Sequence, residues 1–292
     1  MQRIPTAGEV GLFMSTAKSI SARLHHLRIA SPDPARLAEF ASLALQMQLS
    51  HVGAQWQCRA PGRLLAYEQG AAKTLIEAGY AVQSATELDG LKRRLAGASV
   101  AAEEAVNPLL GGPAVSFCDP DGNRFSFGLA LGDAVAAPVT LPARLQHVVV
   151  ASTDAARVAD FLSSVVGMEV SDRVLDDAGQ LCTAFLRTDE EHHSFAVFQA
   201  SKSGLDHHSF ETADWNSIRD WADHFSAQRI QIQWGPGRHG PGNNLFIFIH
   251  DPDGNWLEFS ADIEVIRPGR PAGVWPQEER SLNLWGKAYL RS

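Results

Sequence analysis

The segment LHHLRIASPDPARLAEF at 24–40 returns as LQHVVVASTDAARVADF at 145–161, and DPDGNRFSF at 119–127 returns as DPDGNWLEF at 251–259. A chain that carries itself twice must build two related units, and that constrains its fold more than any other feature. The second copy is longer between its ends by about eleven residues, as insertions in surface loops produce. The period far exceeds the roughly 20 to 50 residues of a solenoid repeat, so the pattern is duplication and not a stacked array. Two homologous domains are expected, 22–131 and 144–262, joined by the Ala/Pro-rich link GDAVAAPVTLPA and followed by a C-terminal tail, 263–292. The length of 292 residues agrees with two units of roughly 150 each.

Each half reads as strand, helix, then strands, an α+β pattern. In the second half 145–151 is a strand, and Thr153 or Asp154 caps a helix whose Val158, Phe161, Leu162 and Val165 fall at helical spacing until Gly167 stops it. Strands follow near 168–174, 181–187 and 193–199, and a second unit opens with a strand at 205–211 and a helix at 214–227. The turn Asp251-Pro252-Asp253-Gly254-Asn255 joins 245–250 to 256–260 as a hairpin. The first half gives a strand at 24–30, a helix at 33–44, a strand at 74–81, a helix at 85–96, and strands at 114–118 and 124–129. Its Ala/Gly-rich stretch 97–113 is unplaced.

Composition excludes several classes of function. A net charge of −8 with no basic stripe argues against nucleic acid as a partner. No uncharged apolar run is long enough for a membrane span, and the first twenty residues lack a secretion signal, which points to a cytoplasmic protein. Cys58, Cys118 and Cys182 are odd in number and far apart, as reduced thiols would be.

Chemistry-bearing residues gather in the second half. Alternation along 256–260 puts Leu257 and Phe259 on one face and Glu258 on the other. His147 in Leu145-Gln146-His147 recurs as His207 in Leu205-Asp206-His207, at the same place in the next unit's opening strand. Taken alone, each would read as an ordinary strand residue. If the units lie side by side, two imidazoles and one carboxylate converge, a set that leaves metal positions open and suits non-haem Fe(II). His208 is the alternative to His207, and His192 the alternative to His193.

With these motifs the chain resembles the type I extradiol ring-cleavage dioxygenases of the vicinal oxygen chelate superfamily, which also holds glyoxalases and antibiotic-resistance proteins. The likeness rests on LQHVVV, EEHHSFAVF, LDHHSFET, GRHGPGNNLF, DPDGNWLEF and SLNLWG. It implies two βαβββ modules per domain forming an open barrel, and a homo-oligomer. It also implies His147, His207 and Glu258 as ligands of Fe(II), with Mn(II) as the alternative metal, and His193 and His239 as catalytic pocket residues. Asn243 and Phe248 would touch an aromatic diol that reacts with O2. His192, His208, His224 and His250 are expected to be solvated or to stand behind the site.

Two departures stand out. The first half keeps His26 at the place of His147 but has Ser126 at the place of Glu258, so it is expected to hold no metal and to serve as scaffold. Phe248 occupies a place where the family usually has tyrosine. Two other classes remain open: a metal-dependent lyase, isomerase or thiol transferase on the same fold, and a non-catalytic binder of planar aromatic ligands.

Overall fold

The computed structural model describes residues 19–130 and 139–288, so the first eighteen residues and most of the Ala/Pro-rich link lie outside the described residues. The chain writes one sentence four times: strand, helix, three strands. The first module is β1 (Ala22–Ser31), α1 (Pro34–Ala44), β2 (Gln48–Val52), β3 (Gln55–Ala60) and β4 (Arg63–Gln69). The second is β5 (Thr74–Val82), α2 (Ala85–Gly97), β6 (Glu103–Asn107), β7 (Gly112–Cys118) and β8 (Arg124–Gly128). The third is β9 (Arg144–Ser152), α3 (Ala155–Phe161), β10 (Glu169–Leu175), β11 (Leu181–Arg187) and β12 (Phe195–Gln199). The fourth is β13 (Gly204–Glu211), α4 (Trp215–Ala227), β14 (Trp234–Arg238), β15 (Leu245–His250) and β16 (Trp256–Ala261), after which β17 (Gly273–Pro276) and the single turn α5 (Glu279–Leu282) complete the described tail.

Local chemistry explains the recurrence. Each module's long helix begins behind a side chain that accepts from its first turn: Asp33, Ser84, Asp154 and Asp214 take the amides of Arg36, Glu87, Arg157 and Ser217. After α3 the chain makes one wide turn over Leu162–Val166 and stops at Gly167, whose φ of +91° suits a residue without Cβ. The two DPDGN turns close alike, with Asp119 accepting from the amides of Asp121 and Asn123, and Asp251 from those of Asp253 and Asn255.

Modules pair through their opening strands. β1 lies antiparallel to β5 in an eight-stranded sheet, and β9 antiparallel to β13 in a nine-stranded one, each sheet wrapping as an open barrel. Within a module the last strand returns parallel to the first, as β12 does to β9 and β16 to β13. One contiguous core runs between the sheets and under the helices, with Leu27, Tyr80, Phe125, Val148, Phe195, Trp221 and Phe259 all fully buried. The halves are also stitched by main-chain bonds, Ala22 N to Thr188 O at 2.9 Å and Leu145 N to Gly62 O at 2.8 Å.

Strands β2, β3, β4, β6 and β14 were not expected from the sequence. Those of the first module fill 48–69, where Gln, Arg and His blur the apolar alternation. β6 is Glu-rich and largely exposed, and β14, WGPGR, reads as a loop because Gly and Pro are poor strand formers. The tail supplies a further strand, since β17 pairs parallel to β10 at the sheet edge.

Candidate active site

Three adjacent strands of the second sheet carry the site. His147 is on β9, His207 on β13 and Glu258 on β16, and the order β16-β13-β9 brings all three side chains inward. Glu258 Oε2 lies 3.0 Å from His147 Nε2 and 3.5 Å from His207 Nε2, and the two imidazole nitrogens are 3.4 Å apart. One donor atom from each residue lies within 4.8 Å of the others, and all three residues are buried.

The outer edge of each of these three side chains is held. His147 Nδ1 meets Gln146 Oε1, and Gln146 Nε2 is itself fixed on the carbonyl of His193 at 2.7 Å and on Glu191 at 3.1 Å. His207 Nδ1 meets Asp206 Oδ1 at 2.5 Å, and Asn244 Nδ2 donates to Glu258 Oε1 at 2.9 Å. With their Nδ1 hydrogens given to Gln146 and Asp206, both rings turn bare Nε2 lone pairs toward one carboxylate oxygen. Three acceptors that close repel one another unless a proton or a cation stands among them. Two nitrogens and one oxygen in this arrangement fit a divalent metal with open positions.

Electrostatics agree with the geometry. Burial by itself raises the Glu258 carboxyl, but His147, His207 and His239 around it hold it well below the usual range. Burial also lowers His207, yet Asp206 and Glu258 outweigh it and the net shift is upward. His193 is driven well below its ordinary value, first by burial and then by the neighbouring His147 and His192. It is a neutral imidazole at physiological pH.

Above the three candidate ligands opens a pocket lined by Val149, Thr183, Phe185, His193, Phe198, Trp234, His239, Pro241, Phe248, Gln277, Ser281 and Leu282. The His193 ring sits 4.4 Å from that of His147, and His239 stacks on Phe246 at 4.0 Å with Nε2 3.5 Å from Glu258 Oε1. Phe248 pairs directly across from Glu258 and sets its edge against His207 at 5.4 Å. The tail roofs the pocket: Leu282 O takes a bond from His239 Nδ1, Ser281 O one from Gly240 N, and Lys287 O one from Trp234 Nε1.

Of the residues named from the sequence, His147, His193, His207, His239, Phe248 and Glu258 all line this pocket. Asn243 does not. It occupies a left-handed turn position at φ +53° and is exposed, so the turn spends it on solvent and brings the next residue, Asn244, inward to Glu258. His208, expected to be solvated or to stand behind the site, is instead buried in the apolar face beside Phe210, where burial pushes it down to about 3. Alternation along β13 turns it away from its neighbour His207. His224 bridges to the other half, its Nε2 3.1 Å from Ala44 O, and His250 packs on Trp256 outside the pocket. The residues that hold the three candidate ligands, Gln146, Asp206 and Asn244, do not stand out in the sequence. Their only signal is adjacency to a candidate: Gln146 and Asp206 each immediately precede one of the two candidate histidines.

Comparison with known proteins now bears on this site. Residues 144–259 match the Glyoxalase/Bleomycin resistance protein/Dioxygenase superfamily, the span that carries all three candidate ligands. The second half of the chain thus carries the sequence pattern of this superfamily. It is 36% identical over 148 residues to metapyrocatechase 2 of Cupriavidus necator, a match covering 50% of this chain and 45% of that protein, so it spans about half of that relative's length. The whole architecture resembles a tyrosine-to-phenylalanine variant of homoprotocatechuate 2,3-dioxygenase from B. fuscum, with a TM-score of 0.79 at 21% identity over 93% of this chain and 80% of that one. It resembles equally a Mn(II)-bound glyoxalase from Novosphingobium aromaticivorans, with a TM-score of 0.79 at 23% identity over 92% and 91%. Likeness at such identities is a likeness of fold. Among the described residues no helix is long and apolar enough to cross a membrane.

Proposed function

We propose that this protein is an Fe(II)-dependent extradiol dioxygenase that opens a catechol-type ring beside its two hydroxyls, placing both atoms of O2 in the product. The observation that carries the reading is the facial set His147, His207 and Glu258 at the floor of an aromatic pocket, each held from behind by Gln146, Asp206 or Asn244. Iron bound there supplies a chelation point for vicinal oxygens and reactivity toward O2, chemistry that no side chain provides alone. Mn(II) satisfies the same donors and is the alternative metal.

The protein's own part is to bind, orient and move protons. Phe248, Trp234 and Phe198 offer faces and edges to an aromatic ring. His193, neutral and beside His147, takes the proton that a diol loses when it binds, and returns it later. His239, anchored through Nδ1 on Leu282 O, presents Nε2 toward substrate oxygens. The roofing tail keeps water out.

The pocket also supports a choice among catechols. Among the described residues that line it none is Lys or Arg, and a mono-deprotonated diol with Glu258 already balances a divalent ion. A carboxylate on the ring would be a buried charge without a partner. The substrate is accordingly a catechol bearing neutral substituents. Metal binds only in the second half, because in the first the Glu77 carboxylate is already paired with the Arg28 guanidinium.

The test is anaerobic purification with Fe(II), metal analysis, and O2 uptake with a panel of catechols. One iron per chain and a yellow ring-opened product from neutral catechols are expected, with 3,4-dihydroxyphenylacetate much poorer. Iron at full occupancy without O2 uptake on any vicinal diol would move the assignment to a lyase, isomerase or transferase. Absence of bound metal under all conditions would leave the aromatic-ligand binder.

A further inference from the structure

We infer, resting on the catechol reading of this pocket, that the Thr183 hydroxyl determines specificity within it: it recognises a neutral ring substituent of the hydroxyalkyl class.

Thr183 stands in the inner wall of the second sheet. It lies on β11 two residues before Phe185, so alternation turns both side chains to one face, and both line the pocket. Across the strands Thr183 pairs with Phe198 on β12, whose ring centre is 6.5 Å from that of His207. Adjacent strands run about 4.8 Å apart. A catechol with its oxygens at His147, His207 and Glu258 therefore brings its ring beside Phe198, and Thr183 stands one strand beyond, within reach of a substituent and not of the diol.

What singles Thr183 out is an uncommitted hydroxyl. The residue is only 2% exposed, yet its Oγ1 has no hydrogen-bond partner among the described residues and is not sealed from solvent. The little surface it keeps opens into the pocket it lines. By contrast, Trp234 Nε1 donates to Lys287 O at 3.0 Å and Ser281 Oγ donates to Pro276 O at 2.8 Å, so both are spent within the protein. A hydroxyl on a largely apolar wall costs free energy unless it is bonded, and valine would suit the strand as well. Water meets such a hydroxyl until substrate enters. An alkyl substituent displaces that water and leaves Oγ1 bare, whereas a hydroxyalkyl one replaces the lost bond. With neither Lys nor Arg among the described lining residues, an ionised substituent has no counter-charge, so the class is neutral as well as hydrogen-bonding. The competing explanation is that threonine serves only through its β-branched shape.

A cycle of substrate and protein changes separates the two. Full-length Fe(II) protein is titrated by calorimetry without O2 against two size-matched pairs, 4-(hydroxymethyl)catechol with 4-ethylcatechol and 4-(2-hydroxyethyl)catechol with 4-propylcatechol. The same pairs are then assayed for O2 uptake. In at least one pair Thr183→Val should shift the ratio of the two dissociation constants about 3- to 10-fold toward the alkyl member, the net worth of one neutral hydrogen bond. The ratio of kcat/KM values should move with it. Thr183→Ser, which keeps the hydroxyl, should hold the wild-type ratio. Ratios unchanged by Thr183→Val in both pairs would overturn the inference, and so would a Thr183→Ser ratio as altered as that of Thr183→Val, since shape would then decide. Binding with the expected shift but no O2 uptake sinks the dioxygenase assignment alone, and O2 uptake without the shift sinks only the role of Thr183. If neither pair binds, both fall.

Discussion

The two halves of the molecule place polar residues at the same three sheet positions and do opposite things with them. In the second half His207 lies two residues before Ser209, the register partner of Glu258; in the first, Glu77 lies two residues before Gly79, the register partner of Ser126. Thus His147, His207 and Glu258 correspond to His26, Glu77 and Ser126. The first half turns the set into an internal ion network. His26 Nε2 is 3.0 Å from Glu77 Oε1, Asn107 donates to the same oxygen at 2.7 Å, and Arg28 Nη1 and Arg124 Nε lie 2.9 and 3.7 Å from Oε2. Ser126 turns aside to Ser116 at 2.7 Å. A carboxylate surrounded by guanidinium groups has its charge balanced within the protein. One surrounded by bare imidazole nitrogens does not. Charge left for an incoming cation, and not the mere presence of His and Glu, is what separates a candidate metal site from a salt-bridge cluster.

The sharpest way to break this contrast is to delete ligands from each half. His147→Ala, His207→Ala and Glu258→Ala should each lose nearly all bound iron and all turnover, since two remaining ligands hold an open site poorly. His26→Ala should leave one iron per chain. Metal analysis decides it: full iron in any of the first three variants, or a second equivalent that vanishes with His26, sinks the assignment.

Next comes position 248. Phe248 faces Glu258 where the first half has Ser116 facing Ser126, so the first half has a hydroxyl at this place and the second has none. His250 cannot stand in for it, being outside the pocket against Trp256. A lost donor to a developing oxyanion costs about 2.7 to 4 kcal/mol when nothing replaces it. Phe248→Tyr should therefore raise kcat on simple catechols, by at most roughly 100- to 1,000-fold. Equal rates on all catechols would show that the donor comes from the substrate or from His239.

The ion network makes its own prediction through pH. Burial raises Glu77, but His26, Asn107 and Arg28 outweigh it and bring the carboxyl down to about 2, from an ordinary value near 4.5. A depressed carboxyl contributes stability that is fully present above its unfolded value and is lost as pH falls from there through its folded value. Wild-type protein should thus lose up to about 3 kcal/mol between pH 5 and pH 2 on this account. Glu77→Gln should lack that stability at pH 7 and show a flatter acid limb, with iron content unchanged. Denaturant titrations at several pH values measure it, and an acid limb as steep as wild type refutes the role.

Much of this was legible in the sequence, for identifiable reasons. The duplication and the strand periods located β9, β13, β15 and β16, and recurrence at matched positions singled out His147 and His207. What stayed hidden was short range and cross-strand. Gly and Pro disguised β14, polar residues disguised β2 and β6, and Glu77 is too far along the chain from Arg28 and Arg124 for their meeting to be read. Nor does alternation reveal which of two adjacent residues a tight turn will expose, so the sequence points to Asn243 where the structure turns Asn244 inward to Glu258.

That last pair supports the smallest predicted effect. Asn244 is fully buried and donates at 2.9 Å to Glu258 Oε1, the oxygen of the ligand that does not face both histidines. This bond fixes the plane of the carboxylate, so that Oε2 points toward His147 and His207. The first half has no need of such a restraint, because several cations and donors already clamp Glu77. Asn244→Ala should leave Glu258 free to rotate toward His239, 3.5 Å away on the same oxygen, and weaken iron about 10- to 100-fold without abolishing binding. Asn244→Asp, which places a second carboxylate against the first, should be worse than Ala for folding but not for the charge available to metal. Asn243→Ala, on the exposed side of the turn, should change neither iron affinity nor kcat. Competition with a chelator ranks the three, and an Asn243→Ala defect as large as that of Asn244→Ala would show that the turn as a whole, and not the amide on Glu258, sets the ligand.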